Sequence, residues 1–136
     1  MKRSTFLVIS AIVQLFFGVF FLLFTKTAAS SSLSNINDMT EVALLFQKNL
    51  GVFSFAFGII TFLSRKSEDN LALKAIFIGT LFYLIASVCT DAYAIVKGFF
   101  TPQGWTAIGF RILFIFGYFY YLFKMKIEKS LIILNV

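Results

Sequence analysis

The sequence predicts an all-α integral membrane protein: one transmembrane domain, a four-helix bundle running up-down-up-down with both termini cytoplasmic. Three observations carry this reading. The 136-residue chain is 60% hydrophobic and only 13% charged, with a mean hydropathy of +0.92. A soluble domain is about half apolar and a quarter charged. Four apolar segments, at about 5–25, 42–63, 71–97 and 103–123, reach the roughly 20 residues that cross a ~30 Å hydrocarbon core at 1.5 Å per residue. None alternates as a half-buried strand does, so each reads as helix.

The first segment, TFLVISAIVQLFFGVFFLLFT, follows Lys2 and Arg3 and precedes TAASSS. That order imitates a secretory signal, but the apolar run exceeds the usual h-region, so a retained helix is expected. In DMTE, Asp38 is the expected N-cap of the second helix, with Glu41 completing a capping box and the helix starting around Met39. SRKSEDN is a short polar turn before the third helix. That helix should stop near Gly98 in KGFFTPQG, and Thr101 as cap with Pro102 at the first helical position should open the fourth. The longest connection, KTAASSSLSNINDM, reads as a solvated loop. The tail IEKSLIILNV is short and amphipathic, suited to the inner membrane surface or to a partner.

Basic residues set the direction. Lys2, Arg3, Arg65, Lys66, Lys74, Lys124, Lys126 and Lys129 fall on one side, and Lys26, Lys48 and Lys97 on the other. The positive-inside rule then places both termini in the cytoplasm. It also accounts for the net charge of +6 with no nucleic-acid partner.

Composition removes much chemistry. With no His and one Cys, Cys89, the chain lacks the parts for an internal disulfide, histidine-bound metal or haem, and Ser-His catalysis. Cys89 lies in an apolar run and is expected to be packed and inert. No cofactor or metal is expected. The 20 Phe residues suit helix and lipid surfaces and carry no functional weight.

Each span holds a Gly after an apolar residue: Gly18, Gly58, Gly79 and Gly117. Small residues let helices approach closely in lipid. Gln47, Gly51, Ser54, Gly58 and Thr61 share one face of the second helix, and Ala11, Gln14 and Gly18 one face of the first; both read as packing seams.

The spans also carry charge. Asp91 shares a helix face with Thr80, Tyr83 and Ser87, and Arg111 shares one with Tyr118. A charge in lipid costs several kcal/mol unless it turns inward and finds a partner. Asp91 lies ten residues before Thr101 and Arg111 ten after, so a hairpin centred there sets them level, and an ion pair is expected in the outer third of the membrane. Gln47 and Lys48 fall at similar depth, which completes an outward-opening polar pocket of Gln47, Lys48, Tyr83, Ser87, Asp91 and Arg111, with Trp105 near its rim. The pair is read either as a lock between two helices or, with Lys48 adding a second cation, as a site for a lipid headgroup or small anion. Trp105 and the Tyr residues also suit an interfacial belt.

A basic residue and a Gly opening the second helix (QKNLGVFSFAFGIITFLSR), the short turn after it, and opposite charges on the third and fourth helices resemble the DoxX-like small four-helix membrane proteins. Lys48 stands where such sequences often carry Arg, and the signs of Asp91 and Arg111 are exchanged relative to that pattern. The resemblance implies a bacterial inner-membrane protein and supplies no reaction. Proton-coupled small multidrug exporters need a carboxylate in the first helix, where this chain has Gln14. The readings that follow are a non-enzymatic lipid- or anion-binding protein, an accessory subunit of a larger membrane complex, and a small oligomeric transporter. An enzyme is not expected, because one buried carboxylate lacks a partner acid, base or nucleophile.

Overall fold

The computed structural model describes residues 2–125. Within them the chain forms helices α1 (Arg3–Leu23), α2 (Thr25–Ser32), α3 (Glu41–Leu63), α4 (Leu71–Val96) and α5 (Gly104–Lys124), with 3₁₀ turns at Ile36–Asp38 and Ser64–Lys66. Four of these are long and apolar enough to cross a membrane, the mark of an integral membrane protein. Their outer surfaces agree: Phe16, Phe82 and Phe123 are 64%, 76% and 84% exposed, a burden that lipid rather than water relieves. The tail IEKSLIILNV, read from sequence as amphipathic, lies outside the described residues.

The helix ends differ from expectation in two places. Asp38 closes a 3₁₀ turn instead of capping α3. The cap is Thr40, whose hydroxyl accepts from the Ala43 amide at 3.1 Å, so the start moves two residues along the same motif. Thr101 does not cap α5, which begins at Gly104 without a side-chain cap. Its hydroxyl is engaged elsewhere, donating to the Ser31 carbonyl at 3.1 Å. Gly98 ends α4 as expected from its left-handed φ of +77°. Asn70 caps the start of α4, accepting from Leu73 N at 2.8 Å.

Two pairs of helices make the body. α1 packs along α3, and α4 along α5. The first seam is built of small residues: a Cβ on Gly18 would sit 2.7 Å from the Phe55 backbone nitrogen, and one on Gly58 would sit 2.7 Å from Leu15 Cγ. Gly51, Ser54, Gly58 and Thr61 are the buried face of α3, with Gln47 only partly buried above them. Gly117 meets the Phe6 ring. Gly79 has open space around it, so the seam expected there is absent; it faces away from the buried stripe of Phe77, Thr80, Leu81 and Leu84.

The two pairs meet through the start of α1. Phe6 sets its ring 5.0 Å from Tyr118 and 5.2 Å from Tyr121, and Phe77 meets Tyr118 from α4 at 5.2 Å. Leu7, Leu73, Leu81 and Leu84 complete this cluster. Both ends of the body are tied. Arg3 pairs with Asp69 in the turn between α3 and α4. At the opposite end Leu33 bridges Phe100, and Thr101 N donates to Ser32 O at 2.8 Å.

That second tie overturns the solvated loop read from KTAASSSLSNINDM. Its first half is α2, which buries Thr25, Ala28 and Ala29. Cys89 is also placed differently: it is exposed, five residues beyond Leu84 and off the buried stripe of α4.

Candidate functional site

Phe6 holds the start of α1 against the end of α5, and beyond that contact a cavity of about 370 Å³ lies between the two helix pairs. Its floor is polar. Tyr118 OH and Ser10 Oγ share a hydrogen bond of 2.8 Å, and Gln14 Nε2 donates to the same Ser10 oxygen at 3.0 Å. Ser54 Oγ donates to the Gln14 carbonyl at 2.9 Å, which ties α3 to α1 one turn above. Gln14 Oε1 and Thr61 Oγ1 are buried without a hydrogen bond among the described residues.

Asp91 and Arg111 stand on the wall, from α4 and α5, joined by an ion pair between Arg111 Nη1 and Asp91 Oδ2. Their side chains keep 25% and 29% of their surface, so the pair is half-sheltered and still reaches the cavity. The rest of the wall is aromatic: Phe17, Phe20 and Phe21 from α1, Phe110 and Phe114 from α5, and Phe100 from the connection between α4 and α5. Tyr83 contributes from α4 and stacks on Phe57 of α3 at 5.3 Å.

Of the residues named from sequence, Tyr83, Asp91 and Arg111 come together on this cavity, and Gln47, Lys48, Ser87 and Trp105 do not line it. Lys48 is exposed, because the small-residue face of α3 is turned onto α1 and the next position along the helix points about 100° away from it. Gln47 is partly buried on the seam face of α3. Ser87 is half-buried, at helical spacing from Tyr83 and Asp91. Trp105 is 49% exposed on the first turn of α5. The second cation of the expected pocket, Lys48, therefore stands off this cavity.

The opening differs as well. The end expected to face outward is roofed by α2, through Ala28, Ser31 and Ser32, and by Phe100, Thr101 and Gln103. Hydrogen bonds between these two segments, Thr101 N to Ser32 O and Ser34 N to Phe99 O at 3.0 Å, hold the roof down. Phe17 and Phe110 line the cavity yet are 43% and 60% exposed, which puts its mouth at the side, between α1 and α5.

Sequence reasoning missed Ser10, Ser54 and Thr101 as site residues. Ser10 had a signal: it lies four residues before Gln14, on one helix face. Ser54 was visible only as a seam residue. Set against known proteins, the chain matches no family model, no curated protein and no solved structure.

Proposed function

We propose that this chain is a non-enzymatic inner-membrane protein of DoxX-like type that holds one small lipophilic molecule between its two helix pairs. The cavity beside Asp91 and Arg111 carries the reading. Its 370 Å³ lies at the lower end of the 300–1,000 Å³ typical of ligand pockets, which are mostly apolar with a few placed polar groups. Six Phe rings and one ion pair fit that description. A structural salt bridge alone needs no such space beside it.

An orientation with both termini cytoplasmic puts the roof outside and the side opening within the outer half of the bilayer. The lining supports binding rather than catalysis: its one carboxylate is engaged by an arginine, and no second carboxylate or amine stands beside it among the described residues.

The test is native mass spectrometry of protein released from lipid nanodiscs. Wild type is expected to carry a small lipophilic adduct in one-to-one ratio, and Ala107→Phe, which fills the cavity from α5, to lose it. Adduct-free wild type, indistinguishable from the filled variant, would overturn the proposal.

A further inference from the structure

We infer that the ligand class of this cavity is an uncharged amphiphile bearing a hydroxyl-like group, entering sideways from the bilayer, and that Asp91 is the residue that keeps anions out. The inference rests on the cavity being a binding site and goes on to say what it selects.

Charge comes first. Among the described residues lining the cavity, Asp91 and Arg111 are the only ones with an acidic or basic side chain, and they are joined to each other in an ion pair. A charged ligand would bring a net charge into an aromatic-walled space with no counter-ion left to meet it, the most costly kind of burial. An uncharged ligand meets no such penalty.

Hydrogen bonding comes second. The ion pair uses one guanidinium nitrogen and one carboxylate oxygen. Arginine has five N–H donors and a carboxylate about four acceptor sites, so the pair offers donors and acceptors side by side. A hydroxyl gives and takes in the same place and satisfies both. An ether or ester satisfies only the arginine, and an amine cation only the aspartate.

Access comes third. The roof formed by α2 and the 97–104 segment is pinned by backbone hydrogen bonds, whereas the contacts that tie α1 to α5 are those of Phe6 and the Ser10–Tyr118 hydrogen bond, toward the other end. A lipophilic molecule dissolved in the bilayer reaches the cavity between Phe17 and Phe110, and water-borne solutes face the roof.

Asp91 then acts as a selectivity residue. Removing its charge leaves Arg111 without its counter-ion on an aromatic wall, a setting that draws a carboxylate or phosphate. The experiment measures binding of three probes of similar apolar size to the protein in phosphatidylcholine nanodiscs: 4-octylphenol, decanoate and decyltrimethylammonium. Ala107→Phe serves as the filled-cavity reference that subtracts partitioning into lipid.

Wild type is expected to bind octylphenol at least about tenfold more tightly than either ion, a difference of about 1.4 kcal/mol. Asp91→Asn should reverse the order in favour of decanoate, and Asp91→Asn with Arg111→Gln should bind neither ion. Should Asp91→Asn not accumulate, the wild-type ranking decides. Decanoate binding best to wild type, and abolished by Ala107→Phe, would overturn this inference and keep the binding site. If no probe binds wild type better than Ala107→Phe, the binding proposal itself fails.

Discussion

At the scale of single residues, a few buried hydrogen bonds between helices set the interior of this protein. Tyr118 is fully buried and Ser10 nearly so, and their 2.8 Å bond joins α5 to α1 across the floor of the cavity. Hydrogen bonds between membrane helices contribute about 0.6 kcal/mol on average in double-mutant cycles. Tyr118→Phe is expected to cost about 1 kcal/mol, measured by denaturant-induced unfolding in micelles. Ser10→Ala should cost more in the wild-type background than in Tyr118→Phe, by about that coupling energy. Strict additivity would mean that the two hydroxyls do not meet. The contrast with Asp91 and Arg111 is instructive for what a sequence discloses. An unpaired charge in an apolar run is costly enough to announce that it has a partner, and the hairpin register points to Arg111. A serine among aliphatics is cheap in a helix, where its hydroxyl can bond its own backbone, so only the spacing to Gln14 flags Ser10, and nothing flags its bond to Tyr118 until the fold is in place.

The same difference runs through the helices. The four long ones were legible because a membrane demands length and apolarity, and their ends moved by one or two residues only. The capping motif DMTE was found and its cap misplaced, because Asp38 and Thr40 are both competent and only the 3₁₀ turn at Ile36–Asp38 decides between them. Helix α2 was not legible. TKTAASSS is polar and too short to be stable alone; it forms because Thr25, Ala28 and Ala29 are covered and because Ser31 and Ser32 return their hydroxyls to the Ala28 carbonyl at 2.9 and 2.8 Å. The glycines divide along similar lines. Gly18 and Gly79 look alike in sequence, each following an apolar residue, yet only Gly18 is pressed against another backbone. Gly18→Ala must push α1 from α3, since the atoms a Cβ would meet belong to the Phe55 backbone and cannot rotate aside, and a loss of about 1–3 kcal/mol is expected. Gly79→Ala meets nothing and should be neutral or stabilising by up to about 1 kcal/mol from helix propensity. Equal effects at the two positions in the same unfolding assay would show that the α1–α3 seam is not where these contacts put it.

For the whole molecule, the arrangement of ties and charges bears on how it sits in the membrane. The Arg3–Asp69 pair and the Ser64–Lys66 turn gather at one end of the body, together with Lys2 and Lys124, while the roof and Lys97 occupy the other. The proposed orientation places the first end in the cytoplasm because basic residues concentrate there. In that orientation the roof caps the cavity on the non-cytoplasmic side, and the sideways mouth opens to the outer leaflet; the reverse orientation would deliver ligand from the inner leaflet instead. Cysteine labelling separates the two. Cys89 is exposed on a spanning helix, so it is first replaced by Ser, and single cysteines are then introduced as Ser30→Cys on α2 and Ser67→Cys in the turn after α3. In intact cells a membrane-impermeant maleimide is expected to modify position 30 and to reach position 67 only after permeabilisation. Labelling at 67 alone would invert the bundle, and with it the leaflet from which the cavity is filled. Labelling at both positions in intact cells would contradict a single orientation, and then the cytoplasmic concentration of charge could not be what directs insertion.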